Sequence, residues 1–190
     1  MQNHPSPTPG PGSVVAAARA ILDQCAALVD SVPDTVYTAE AQTIRGGTVG
    51  KHIRHTLDHF AAIVRSLADG SVVDYDHRER GVPQETSRAA ARTHVDSLRG
   101  AICSLGPNEL SKAVRIRIML SGKGDQAELD STVARELAFA THHAIHHHAM
   151  LKTIAAEFGI LTDGDFGKAP STVNFERSYP PKPKQAESAH

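Results

Sequence analysis

Cysteine is scarce in this chain of 190 residues: it has two, Cys25 and Cys103. Both fall in helical patterns, far apart, so neither a disulfide framework nor a thiolate zinc site organises the fold, and a reducing cytoplasm is the expected setting. Excess charge is lacking too. The formal net charge is -1 and the pI about 6.9, which gives no basic footing for phosphate backbones or anionic lipid, so neither nucleic acid nor membrane is an expected partner. Met1 to Gly12 lacks the basic start and apolar run of a signal peptide, and no stretch approaches the ~18 apolar residues of a membrane span. A soluble cytoplasmic protein is expected. Internal repeats are not evident, and Gly122-Lys123-Gly124 lacks the flanks and following helix of a phosphate-binding loop.

What is present reads as one helical domain. Four prolines and two glycines in residues 1–12, and a polar, Pro-rich stretch over 177–190, predict disordered tails on either side of a domain at 13–176. Val14, Ala17, Ile21, Ala27 and Leu28 approximate a helical stripe, giving a first helix from about Ser13 to Val29, stopped by Pro33. Thr48 is placed to cap a second helix that runs to about Ala68 and ends at Gly70, with Val49, Ile53, Leu57, Phe60, Val64 and Leu67 at three- and four-residue steps. A polar segment, Asp74 to Arg80, reads as an exposed or site-bordering loop. A third helix spans roughly Thr86 to Ser104. From Ala113 the period changes to two, with Val114, Ile116, Ile118 and Leu120 alternating with polar or flexible residues and Gly122 and Gly124 in the turn, which predicts a short hairpin. A long helix follows from about Thr132 to Phe158, with Gly159 at its C-terminal end.

Twelve histidines carry the chemistry. On the second helix His52, His55 and His59 share one face by their i, i+3, i+7 spacing. On the last helix two registers are available: His143 with His147, and His142 with His146, each four residues apart and one turn above the other. Spacing alone does not choose between them. Neutral imidazole is a good ligand for zinc, nickel and iron, and three side-chain ligands leave a position open for water or substrate. The plainer alternative is a hydrogen-bonded polar core of histidines. Glu136, one heptad before His143, is placed to orient a ligand from behind. Arg54 and Asp58 suggest a helix-surface ion pair, and Arg115 and Arg117 solubilising charges on a hairpin edge.

Two stretches resemble a known family. Thr48-Val-Gly-Lys-His-Ile-Arg-His-Thr-Leu-Asp-His-Phe60 and Glu136-Leu-Ala-Phe-Ala-Thr-His-His-Ala-Ile-His-His-His-Ala-Met150 resemble the two histidine motifs of the DinB-like (damage-inducible) metal-binding proteins. That superfamily also includes thiol-dependent S-transferases and mycothiol-dependent maleylpyruvate isomerases. The resemblance covers roughly residues 13–172. No tryptophan precedes the first motif, and His148-Ala149-Met150 replaces the more usual Arg-Gly-Gln. The resemblance implies an all-α, up-down-down-up four-helix bundle with a small β-hairpin between helices three and four. It also implies a divalent ion (zinc, nickel, iron or manganese) held by His55, His143 and His147, with His52, His59, His142 and His146 as additional or alternative ligands. The implied activity is metal-dependent activation of a small thiol or of water, of S-transferase or hydrolase type; the alternative is a non-catalytic metal-binding or stress-response protein with a structural ion. The expected partners are a low-molecular-weight thiol or other small-molecule substrate, and a second copy of the chain as a homodimer.

Overall fold

A computed structural model describes residues 12–77 and 79–179. In chain order the elements are α1 (Gly12–Ser31), α2 (Asp34–Tyr37), α3 (Val49–Asp69), β1 (Val73–Asp74), a 3-10 turn (Pro83–Glu85), α4 (Arg88–Cys103), α5 (Pro107–Ser111), β2 (Ala113–Met119), β3 (Gln126–Thr132), α6 (Val133–Glu157) and α7 (Pro170–Ser178). The tails expected at 1–12 and 177–190 lie mostly outside the described residues. Gly12 begins α1, and α7 continues through Arg177 and Ser178.

Local chemistry sets the helix ends. The hydroxyls of Thr48, Ser87 and Thr132 accept from the amides of Lys51, Ala90 and Arg135, satisfying donors that the first turns of α3, α4 and α6 leave open. Gly70 closes α3 in the left-handed region at φ 73, where a side chain would be strained. α1 packs on α4 and α6, and α3 packs on the same two helices. The apolar rows that meet there include Leu22 and Val29 of α1, Ile53 and Phe60 of α3, Val95 and Ile102 of α4, and Leu137 and Ile154 of α6, all buried.

Three expectations are corrected here. The class is not an all-α four-helix bundle with a hairpin appended: among the described residues seven helices accompany a three-stranded mixed sheet of order β1-β2-β3. β2 and β3 form the anticipated antiparallel hairpin, from Ala113↔Thr132 to Met119↔Gln126, but β1 adds in parallel, Val73 opposite Ile116 and Asp74 opposite Arg117. Its physical reason is that Val73 is buried, Asp74 pairs with Arg117 at 3.4 Å, and Arg117 also reaches Glu128 at 2.7 Å. The arginine thus ties three strands together rather than merely solubilising an edge. Second, Arg54 is buried, within 2.7 Å of Glu85 and 2.5 Å of Asp58, so that pair belongs to the interior between α3 and the 3-10 turn. Third, α1, 20 residues long, has a mean hydropathy of 1.4 over an 18-residue window, long and apolar enough to cross a membrane by length and composition. Its Ala18, Leu22 and Cys25 are nonetheless wholly buried by the neighbouring helices, and Arg19 and Asp23 pair on the outer face, as suits a core helix. Of the expected stripe, Ile21 and Leu28 are buried, whereas Ala17 and Ala27 are exposed and their neighbours Ala18 and Ala26 are buried instead.

The approach of the 3-10 turn to α3 requires a glycine. A Cβ on Gly50 would stand 2.0 Å from the backbone oxygen of Glu85 and 2.8 Å from the Tyr37 ring, and backbone cannot yield as a flexible side chain can. Gly50→Ala should therefore cost about 3 kcal/mol, at the upper end of overpacking penalties, read as a shifted urea midpoint at unchanged slope. Gly12→Ala, where a Cβ meets nothing within 4 Å, should be neutral.

Candidate metal centre

The packing of α3 against α6 brings imidazoles from both helices into one cluster. His143 Nε2 lies 3.0 Å from His55 Nε2 and 3.0 Å from His147 Nε2. A ring nitrogen offers one hydrogen or one in-plane lone pair, so His143 Nε2 cannot donate to one neighbour while accepting from the other. The spacing suits a shared cation better: two nitrogens each ~2.05 Å from one ion sit ~2.9 Å apart at a right angle. Ring orientation agrees. The His55 ring is inclined by 75° to His143 and 79° to His147, and His143 and His147 are inclined by 59° to each other, so no two of the three lie flat on one another.

A second, overlapping set competes. Nitrogens of His55, His59 and His143 all lie within 4.8 Å of one another. Yet the His59 ring lies nearly flat on that of His143, 4.1 Å away at 27°, and an imidazole directs its ligating lone pair in the ring plane. Two rings so stacked cannot both aim at a single ion. In addition, His59 Nδ1 donates to the backbone oxygen of His55 at 3.0 Å, a bond that holds the ring against its own helix. We therefore take His55, His143 and His147 as the geometric triad, with His59 as a wall.

The environment keeps His147 uncharged. Burial first, and then the neighbouring imidazoles of His143, His52, His146 and His59, lower His147 to about 3, and neutral imidazole is the form that ligates. Behind His59 stands Tyr75, stacked on it at 5.0 Å and 16°. Its hydroxyl donates to Glu136 Oε2 at 2.6 Å. Glu136 is fully buried and also accepts from Ser131 Oγ at 2.5 Å and Arg135 at 2.8 Å. The carboxylate thus backs the site through Tyr75 and His59 rather than through His143, the partner its heptad spacing suggested. Burial and that carboxylate push the Tyr75 phenol far up, so it stays a donor.

The remaining histidines divide by helix face. His142 and His146 are exposed. His148 points to the opposite side of α6, where Nε2 lies 3.2 Å from Cys25 Sγ, Nδ1 lies 3.0 Å from Gln24 Oε1, and Phe166 stacks on the ring at 4.5 Å and 10°. The carboxamide oxygen can only accept, so Nδ1 carries the hydrogen and Nε2 accepts from the thiol. Burial pushes Cys25 up to about 12 and His148 down to about 4, so the pair is neutral. His52 sits at the rim of the cluster, its Nδ1 3.1 Å from His147 Nδ1.

Sequence reasoning missed Tyr75, placed in a loop too polar for a core, and the Cys25–His148 pair. The signal for Tyr75 was available: an aromatic inside a polar run is a candidate anchor.

The cluster opens on one side to a cavity of about 350 Å³, bounded by the loop 44–47, Lys51, and the rings of His52, His55 and His147. Arg45 and Lys51 are the charged residues of this mouth. Lys51 is shared with the Gly46 carbonyl at 2.8 Å and Glu40 at 3.9 Å.

No family model matches the chain. Among curated proteins it is similar to FK506-binding protein 5 of Rhizopus delemar, with 30% identity over 116 residues, which make up 60% of this chain and 30% of that protein. The chain thus matches less than a third of the relative's length, too little to show a shared family. This likeness and the mixed sheet together overturn the expectation of a DinB-like four-helix bundle.

One carboxylate holds the loop of the mouth. Glu157, the last residue of α6, accepts from the amides of Gln42 at 2.8 Å and Thr43 at 3.1 Å and from the Thr43 hydroxyl at 2.8 Å. The Gln42 amide first, then the Thr43 hydroxyl, hold its carboxyl below the ordinary carboxylate value. A group so lowered stabilises the folded state above its unfolded pKa and loses that effect as pH falls through the folded one. Titration from neutral to acid should thus release the Gln42 and Thr43 amides as Glu157 protonates, seen by NMR as a shared inflection below ordinary glutamates. Glu157→Ala should show the released shifts already at neutral pH.

Proposed function

We propose that this protein is a divalent-metal-binding enzyme in which His55, His143 and His147 hold the ion and leave a position open to the cavity of the 44–47 loop. The imidazoles meet at His143, whose Nε2 lies 3.0 Å from that of His55 and 3.0 Å from that of His147, and this spacing supports the reading. An ion bound there, whether zinc, nickel, iron or manganese, supplies Lewis acidity that lowers the pKa of a small thiol or water and so makes a nucleophile near neutral pH. The protein's residues do the rest. His55 enters from α3 and His143 and His147 from α6, so the rigid contact of two helices fixes the triad. Tyr75 and Phe139 wall it, Phe139 lying 5.9 Å from His143 at 26°. Arg45 and Lys51 at the mouth favour an acceptor substrate or thiol that carries an anionic group.

A second reading has its own observation. His59 nitrogen lies within 4.8 Å of those of His55 and His143, and a rotation of its ring would make a fourth ligand, closing the site as in a structural centre. The protein would then bind metal without turnover.

Two measurements separate these readings. Metal content of purified variants should fall to background in His55→Ala, His143→Ala and His147→Ala and stay at full stoichiometry in His142→Ala; the reverse on α6 would place the site in the other register. Cobalt(II)-loaded protein should gain a sulfur-to-metal charge-transfer band on titration with a small thiol such as glutathione or mycothiol. A spectrum that no thiol changes removes the thiol half of the proposal, and a four-coordinate ion without exchangeable water supports the structural reading instead.

A further inference from the structure

We infer that His52 is a positioning residue for the metal centre: it accepts a hydrogen bond from Nδ1 of His147, fixes the tautomer and tilt of that ring, and couples the 44–47 loop to the ion. This rests on the metal reading above. The rings of His52 and His146 both lie against His147, at 5.4 and 5.3 Å, and His52 is the one that lines the mouth and brings a nitrogen to the outer nitrogen of His147. Its Nδ1 stands 3.1 Å from His147 Nδ1, with ring centroids 5.4 Å apart at 41°.

The direction of this bond follows from the other end of His147. Its Nε2 faces His143 Nε2 at 3.0 Å and supplies the lone pair to the centre. A neutral imidazole that ligates through Nε2 carries its hydrogen on Nδ1. His147 must then donate and His52 accept. Metal-bound histidines regularly anchor their outer N–H in this way, usually on a carboxylate or a carbonyl; here the anchor is a second imidazole, which adds no formal charge to the centre. His52 is not itself in the triad, because its Nδ1 is spent on the outer nitrogen of His147 and not directed at the Nε2 atoms.

The ring of His52 is held by the loop. A Cβ on Gly47 would stand 3.2 Å from His52 Nε2 and 2.9 Å from Ile44 Cγ2, so the loop backbone lies tightly over the far edge of the imidazole. The loop in turn is tied at Gln42 and Thr43 by Glu157 and at Gly46 by Lys51. A molecule that moves the 44–47 loop on entering the cavity therefore moves the anchor of one metal ligand.

The test is cobalt(II) affinity, by chelator competition, in full-length wild type, His52→Asn, His52→Phe and His147→Ala, with the thermal melting of each metal-free protein as a control for folding. Asparagine places an accepting oxygen near the position of Nδ1; phenylalanine keeps the ring and accepts nothing. Loss of such an anchor weakens metal binding about 10- to 100-fold, so that loss is expected for His52→Phe at an unchanged metal-free melting temperature. His52→Asn should stay close to wild type. Wild-type affinity in His52→Phe overturns the inference. An equal loss in His52→Asn and His52→Phe also overturns it, and a fall of both to the level of His147→Ala makes His52 a ligand. If the wild type itself binds no cobalt, the metal reading fails first, and the inference falls with it.

Discussion

The side-by-side packing of α3 and α6 is the constraint on which the candidate centre depends. It forces polar rings into an interior contact lined with Ile53, Leu57, Leu137 and Leu151, all fully buried. Imidazoles in such a place are costly as cations, because burial and mutual repulsion both disfavour the charged form. The lowering of His147 to about 3 expresses that cost. The consequence is a neutral lone pair on His147. A proton is disfavoured there, and a divalent ion at the candidate centre would meet a ligand that needs no deprotonation.

The rest of the fold supplies walls and a mouth to that contact. The sheet does not supply ligands, but through β1 it delivers Tyr75 to the back of His59, and through Ser131 at the end of β3 it supplies one of the three donors to Glu136. The buried carboxylate is satisfied on both oxygens, as a charge at full burial must be. On the open side the loop is held from the C-terminal end of α6, so one helix contributes two of the proposed ligands, the carboxylate behind them and the clamp in front.

The long helices were legible in the sequence because each carries both a period near 3.6 and a cap: Thr48 and Gly70 bracket α3, and Thr132 opens α6. The hairpin was legible from its period of two. The third strand was not, since two residues are too short for any period, and Asp74 looks solvated until Arg117 is seen beside it. Within the site, the faces of α3 and α6 could be read, whereas the choice between His143 with His147 and His142 with His146 could not. That choice is tertiary: it depends on which side of α6 meets α3. The same limit hid the role of Glu136, whose heptad spacing put it on the right face but whose partner, Tyr75, comes from 61 residues earlier.

α6 is unusual in presenting histidine on nearly every side, so the pattern of its own residues barely prefers one rotation about its axis. The pin is on the far side. His148, one residue and about 100° around from His147, is locked between Cys25, Gln24 and Phe166, and Gly167, where a Cβ would come within 2.7 Å of the Ala149 backbone, lets that cover lie flat against the helix. A thiol that takes no part in the proposed chemistry thus acts as an angular stop. Grafting the α3 and α6 histidines onto another pair of packed helices would transfer the ligands without the stop, and the transplanted helix would be free to turn an idle pair inward.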